Sequence, residues 1–319
     1  MQSRLLRILR IVLFIGLAGG VLFFLPIQKI VDAIRAASPY YFWMAYLLMF
    51  PSSYLGALQL WILTRKQDIH ASPLKLMEIN LVIRFYSFFS PASAVGSLMR
   101  WYKLSGNGKS AEALTAVTVN RLFDVFIAIV FGLFFVLGGT TNTAILIQPV
   151  WIFLFLAATL LLWLYITRCS HSILLWIRNR TENNQQNWLK KVGTYAERLS
   201  TSLLVYSRLK IHTLILMVVV GLSSELIGVL SFYYMALSIN LPVQLTDLGW
   251  MRSTFFLVSL TPFTFIGGIG LREVSIVWVL TTMGIHTDLA AAFSFLVYAR
   301  SVTIGLTGGL IELVSLHKS

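Results

Sequence analysis

Cysteine is almost missing from this sequence of 319 residues. Cys169 stands alone, which excludes an internal disulfide framework and any cysteine-rich metal or iron–sulfur site. Charge is scarce as well: 12% of residues are charged, against about 25% in soluble domains. Acids are the scarcer sign, with 12 Asp and Glu against 25 Lys and Arg. The net charge of +13 does not point to nucleic acid, because the bases are scattered among loops between apolar runs rather than set in a basic and aromatic patch. The five histidines, His70, His171, His212, His286 and His317, fall near loops or helix ends and make no metal-ligand spacing. Cys169 has no His partner in the sequence to make it a nucleophile. The run Gly-Gly-Ile-Gly-Leu-Arg-Glu at 267–273 lacks the GxGxxG order and the preceding strand of a dinucleotide site. An intramembrane hydrolase would have only Asp124 and Glu273 as its two carboxylates. These absences argue against an enzyme, a resident metal and a cofactor.

Apolar residues are plentiful: 57% of the chain is hydrophobic and its mean hydropathy is +0.80. Crossing the hydrocarbon core takes about 20 mostly apolar residues. Segments near 9–27, 39–63, 111–137, 148–167, 212–238 and 288–316 meet that requirement, so the expected fold is an all-α polytopic membrane protein with six full transmembrane helices. Two further apolar regions, 74–105 and 245–284, are too long for one span. Each is broken, the first by Pro91 and Gly96, the second by Pro262, Gly267, Gly268 and Gly270. Proline removes a backbone donor and opens a helix, and glycine lets the chain turn back on itself.

Charge placement suggests how the broken regions run. Arg4, Arg7, Arg10, Arg65, Lys66, Lys75, Lys103, Lys109 and the basic residues of 168–210 fall on one face if each broken region enters and leaves on the same side. If each crossed fully, the bases would fall on both faces. The positive-inside rule makes the basic face cytoplasmic, with Lys29 and Arg35 as an exception. The expectation is a membrane protein with both termini in the cytoplasm and two re-entrant hairpins of opposite orientation. No small-residue cleavage site follows the first apolar run, so it is expected to be retained as a span. Residues 1–319 form a single domain. Its one sizeable polar segment is the linker 169–211, where Leu189, Val192, Ala196, Leu199 and Leu203 share a helical face. That face suits an amphipathic helix on the cytoplasmic headgroups or a helix that binds a partner.

The broken regions also resemble each other. Ser90-Pro91 followed by Gly96 matches Thr261-Pro262 followed by Gly267, and Arg100 and Arg272 come next. Arg121 and Arg300 then lie at matching places on the following spans. Repeat halves at about 74–137 and 245–316, read in opposite orientation, fit the inverted-repeat plan of transporters.

Charges inside apolar segments cost on the order of 2.5–3.5 kcal/mol each at the helix centre. They are functional candidates for that reason. Arg84, Arg100, Arg121, Arg272 and Arg300 are the expected ligand-binding set, with Asp124, Glu225 and Glu273 as the accompanying charge network. Arg121 and Asp124, three apart, either pair with each other or serve the ligand; Arg100 either snorkels to the headgroups or faces inward. Arg272 and Glu273 are adjacent, so each is expected to find another partner, Glu273 turning to Arg300 or Arg121 and leaving Arg272 for the ligand. Glu225 is free to satisfy another arginine. Glu78 and Arg252 also lie in these segments, and Glu312 reads as a terminal structural charge. Arginine suits bidentate binding of phosphate.

The segment SLTPFTFIGGIGLREVSIVWVLTTMGIHTDLAAAFSFLVYARSV resembles the C-terminal signature of the flippase-like membrane family related to the transmembrane region of lysylphosphatidylglycerol synthase. INLVIRFYSFFSPASAVGSLMRWYKLSGNGKSAEALTAVTVNRLFDV is similar to the first motif of that family. The first hairpin departs from it, with Val95-Gly96-Ser97 where members often have Gly-Gly and an acid. The resemblance implies a lipid flippase fold without synthase activity. It assigns Pro91, Gly96, Arg100, Arg121 and Asp124 in the first half, and Pro262, Gly267, Gly268, Gly270, Arg272, Glu273 and Arg300 in the second. The resulting expectation is a transporter that moves an anionic phospholipid or a polyprenyl-phosphate-linked lipid headgroup between leaflets. The alternative is a non-transporting membrane partner of a lipid- or envelope-synthesising enzyme. A homo-oligomer is left open.

Overall fold

The structure is a computed structural model that describes residues 37–87, 92–138, 201–206, 209–259 and 271–318, with single positions between 28 and 36 and between 150 and 199. Every regular element among the described residues is helical. In chain order they are α1 (Pro39–Leu47), α2 (Met49–Lys66), α3 (Pro73–Tyr86), α4 (Ala92–Leu104), a 3-10 turn at Gly106–Gly108, α5 (Ser110–Gly138), α6 (Ile211–Ser238), α7 (Leu245–Val258), α8 (Leu271–Thr282) and α9 (Thr287–Lys318).

Local chemistry sets several of these boundaries. The Ser72 hydroxyl accepts from the Lys75 N–H at 3.2 Å, and Pro73 follows in the first helical position, where its missing donor costs nothing. α7 opens with the Gln244 N–H donating to the Asp247 carboxylate at 3.4 Å. α1 and α2 meet at Leu48 because Pro51 has no N–H to offer the Leu47 carbonyl. The expected span 39–63 is thus a bent pair that runs on to Lys66.

Four helical runs are long and apolar enough to cross a membrane: Pro39–Lys66, Ser110–Gly138, Ile211–Ser238 and Thr287–Ser315. They coincide with four of the six expected spans. The span expected at 9–27 lies outside the described residues, and 148–167 is described only at single positions, each helical.

Contacts between helices order their ends. α6 runs antiparallel to α1 and α2. The Ser38 N–H donates to the Ser238 carbonyl at 2.7 Å, Ser231 Oγ donates to the Ala45 carbonyl at 2.7 Å, and the Ser52 and Ser224 hydroxyls meet at 3.3 Å. Lys109 Nζ donates to the Asp68 carbonyl at 2.7 Å, which seats the start of α5 beside the end of α2. Lys103 Nζ reaches Glu312 at 2.7 Å, bringing the end of α4 and the end of α9 to the same place. α3 and α4 therefore begin and finish at the end of the bundle marked by Lys66.

α7 and α8 do the reverse. The first turn of α8 meets α9 seven residues from its start, with the Ser294 hydroxyl donating to the Glu273 carbonyl at 3.3 Å, and the far end of α8 joins the start of α9 within four residues. The start of α7 follows the Ser238 end of α6 after a short loop. At 14 residues each, α3 and α7 are about 21 Å long, shorter than the roughly 30 Å hydrocarbon core. The inner junctions 88–91 and 260–270 lie outside the described residues, and with them Pro91, Pro262, Gly267, Gly268 and Gly270.

Packing joins the two sets of helices closely. A Cβ on Gly308 of α9 would fall 1.9 Å from the Leu81 carbonyl oxygen of α3, so only glycine lets these backbones approach. Gly96 in α4 has more room, its nearest neighbour being Ile83 Cγ2 at 3.3 Å. Phe232 of α6 and Phe293 of α9 meet edge to face in the largest apolar cluster, with ring centroids 5.9 Å apart. The outer surface is apolar too, with Phe134, Leu137, Ile215 and Leu310 exposed, as a lipid-facing surface requires. The last turn of the linker packs onto the bundle: Gln67 Nε2 donates to the Ser202 carbonyl at 2.8 Å and the Tyr206 hydroxyl to the Leu63 carbonyl at 3.1 Å. Burial pushes the Tyr206 phenol above its ordinary range. Leu203 packs beside Tyr206, so this end of the linker has one face docked on protein. The face positions Leu189, Val192 and Ala196 lie outside the described residues.

Candidate functional site

Six arginines converge midway between the two ends of the bundle. Arg84 and Arg121 each stand eleven residues into their helices, about 16 Å from the Lys66 end. Arg300 lies thirteen residues into α9, about 20 Å from the opposite end. Arg272 sits in the first turn of α8, Arg252 in the middle of α7 and Arg100 near the end of α4. Arg84 is the hub. It lies within direct electrostatic reach of Arg100, Arg121, Arg252, Arg272 and Arg300. Arg84 keeps exposed side-chain surface while the other arginines stand around it.

Two of the arginines are neutralised by carboxylates beside them. Arg252 Nη1 pairs with Glu225 across α6 and α7. A Cβ on Gly228 would overlap the Arg252 guanidinium at 2.2 Å, so the glycine makes the slot in which this charge lies. Arg272 pairs with Glu273, its Nε donating at 2.7 Å and its Nη2 to the same oxygen. Arg272 Nη2 also reaches the Ser301 hydroxyl at 3.4 Å.

Asp124, the third carboxylate, is treated differently. It accepts from Gln59 Nε2 at 3.3 Å and from Asn120 Nδ2 at 3.1 Å, both neutral amides. Arg100 and Arg121 feel its charge without making an ion pair with it. Arg121 lies over the Phe256 ring, 5.3 Å from the centroid, which couples the first half to α7 through a cation–π contact. Among the described residues Arg84, Arg100 and Arg300 have no ion-pair partner. The Nε atoms of Arg100 and Arg300 are buried with no acceptor, an arrangement that costs free energy until an acceptor arrives.

Several expectations change as a result. Arg272 and Glu273 do face each other: the guanidinium stem is long enough, in the first turn of a helix, to curl back to its neighbour. Glu273 therefore serves Arg272, and Arg272 loses its place as the free ligand-facing charge. Arg121 and Asp124 share a face but look to other groups. Arg100 turns inward to the cluster rather than to the headgroups. Glu78 lies outside the cluster, paired with Lys75 at the Lys66 end. Glu312 accepts from Lys103 and from the Tyr86 hydroxyl at 3.3 Å, in keeping with a structural charge. The expectation that Glu225 satisfies another arginine holds, with Arg252 as that arginine.

Arg252, Gln59 and Asn120 were not in the expected site. The available signal was Gly228, three residues after Glu225 on the same helix and thus on the same face. Gln59 is brought to Asp124 only by the packing of α2 on α5, which no local spacing announces.

The family model of the lysylphosphatidylglycerol synthase TM region matches residues 7–309. The chain belongs to this family. It is a multi-pass membrane protein tied to lipid metabolism, and the arginine cluster lies within the matched region. No curated protein and no solved structure matches the chain.

Proposed function

We propose that this family member is a lipid transporter that moves an anionic lipid headgroup, phospholipid or polyprenyl-linked, between the leaflets of the bacterial inner membrane, with both termini cytoplasmic. The observation that carries the reading is the arginine cluster midway along the helices, where Arg84, Arg100 and Arg300 have no carboxylate partner among the described residues. Cations inside membrane segments without counter-ions are costly, and a phosphate entering from the bilayer removes that cost. The apolar chains stay in the lipid while the headgroup crosses.

Support also comes from the order of elements. A run of 28 residues, a helix of 14, a shorter helix and a long span occur first at 39–138 and again at 211–315. The two inner pairs of helices open to opposite ends, and the Ser52 and Ser224 hydroxyls meet at the centre. Read as an inverted repeat with two re-entrant hairpins, this plan lets an exchange of conformation between the halves switch access from one leaflet to the other. Lys66, Lys75, Lys103 and Lys109 gather at the end that the positive-inside rule makes cytoplasmic.

The test is headgroup translocation in vesicles reconstituted with the purified protein. Arg84→Gln and Arg300→Gln are expected to lose most of the transport, by about tenfold or more for each lost charged hydrogen bond, while remaining folded. Translocation at the wild-type rate in both variants would overturn arginine capture. Binding of a lipid-synthesising enzyme with no intrinsic translocation would favour the docking alternative instead.

A further inference from the structure

We infer that the lipid accepted by this cluster ends in a phosphate group carrying at least two negative charges, as a phosphomonoester or a diphosphate does, and not the single charge of a phosphodiester; this rests on the transport reading above and narrows it. Five guanidiniums lie within electrostatic reach of Arg84, and among the described residues three carboxylates accompany these six cations, an excess of three positive charges. The excess is localised. Glu225 and Glu273 each close on one arginine, and Asp124 is shared by Arg100 and Arg121.

A phosphodiester brings one charge and leaves the greater part of the excess standing in a medium of low dielectric, where unbalanced charge is expensive. A phosphomonoester brings about −1.5 to −2 at neutral pH, with three acceptor oxygens. Three oxygens also match the donors. Arg84 keeps exposed side-chain surface, and Arg100 and Arg300 hold buried Nε atoms without acceptors. Arginine forks bind phosphate oxygens in pairs. Arg84 and Arg100 belong to α3 and α4, Arg300 to α9, so one multiply charged phosphate bridges the two halves of the molecule.

The experiment compares binding of phosphatidate, a monoester, with that of phosphatidylglycerol, a diester with the same chains, to the purified full chain in nanodiscs. Phosphatidate is expected to bind tighter by about tenfold or more. As pH falls from about 8 to about 5, through the second ionisation of the monoester near 6, that preference is expected to shrink towards parity while phosphatidylglycerol binding stays flat. Arg84→Gln and Arg300→Gln are expected to reduce the preference. The pH series on the unmodified protein stands even where a variant fails to fold.

Equal or tighter binding of the diester, or a preference that ignores pH, would overturn the inference. Inorganic phosphate carries the same chemistry without a chain and is expected to compete weakly; displacement of phosphatidate by an equal concentration of inorganic phosphate would overturn the assignment to a lipid. Parity of the two lipids alongside arginine-dependent translocation would sink this inference alone. A clear monoester preference with no translocation would instead uphold it and remove the transport reading.

Discussion

Residues 39–138 and 211–315 follow the same order of helices but balance their charges to different extents. In the second stretch two arginines have carboxylates at hand, Arg252 with Glu225 and Arg272 with Glu273, while Arg300 has no ion-pair partner among the described residues. In the first, Asp124 is held by the amides of Gln59 and Asn120, and Arg84 and Arg100 have no ion-pair partner among the described residues. The contrast holds position by position. Asn80 stands seven residues into α3, where α7 has Arg252, and Arg84 stands eleven residues in, where α7 has Phe256. One architecture thus carries a side whose arginines are mostly neutralised and a side whose arginines mostly stay positive until an anion enters. Net positive charge at the centre is a property of the first half more than of the whole.

Breaking the neutralised side is expected to cost the most stability. Glu225→Gln leaves Arg252 in its slot without a counter-ion, and removing one partner of a buried pair costs about 3–5 kcal/mol. Thermal unfolding of the purified variant reads this as a marked fall in Tm; an unchanged Tm would mean that water already compensates Arg252. Gly228→Ala attacks the same pair sterically by placing a methyl on the guanidinium. Its expected cost is smaller, about 1–3 kcal/mol as for other overpacked sites, and restoration of Tm by adding Arg252→Lys would tie the cost to that slot. Lys75→Ala sets the floor of the comparison. Its partner Glu78 and Lys75 itself are largely exposed, so the expected loss is at most about 1 kcal/mol. A larger loss in Tm would show that the Lys66 end is more tightly bound than its exposure suggests.

Much of this arrangement was legible in the sequence because it rests on length, period and breakers. Four apolar runs gave four helices within a few residues of their expected ends, and the Ser72-Pro73 start of α3 follows directly from capping chemistry. The intramembrane arginines announced themselves by their cost. Their partners did not. Whether Arg272 curls back to Glu273 depends on its place in the first turn of α8, which the spacing rule for adjacent residues ignores. The amides that hold Asp124 come one from its own helix and one from α2, and only the packing of α2 on α5 brings Gln59 within reach. Arg252 stood in the sequence only as one more charge inside an apolar segment, and the structure sets it in the Gly228 slot beside Glu225.

The most direct test sets one half against the other in a single translocation measurement on reconstituted vesicles. Arg84→Gln removes a charge from the positive side, whereas Glu225→Gln with Arg252→Gln removes a matched pair from the neutral side and leaves the excess of positive charge intact. Headgroup translocation is expected to collapse in the first variant and to persist in the second, because replacing both members of a buried pair by neutral groups is often tolerated. Equal translocation by the two variants, or persistence in Arg84→Gln with loss in the pair variant, would contradict the account.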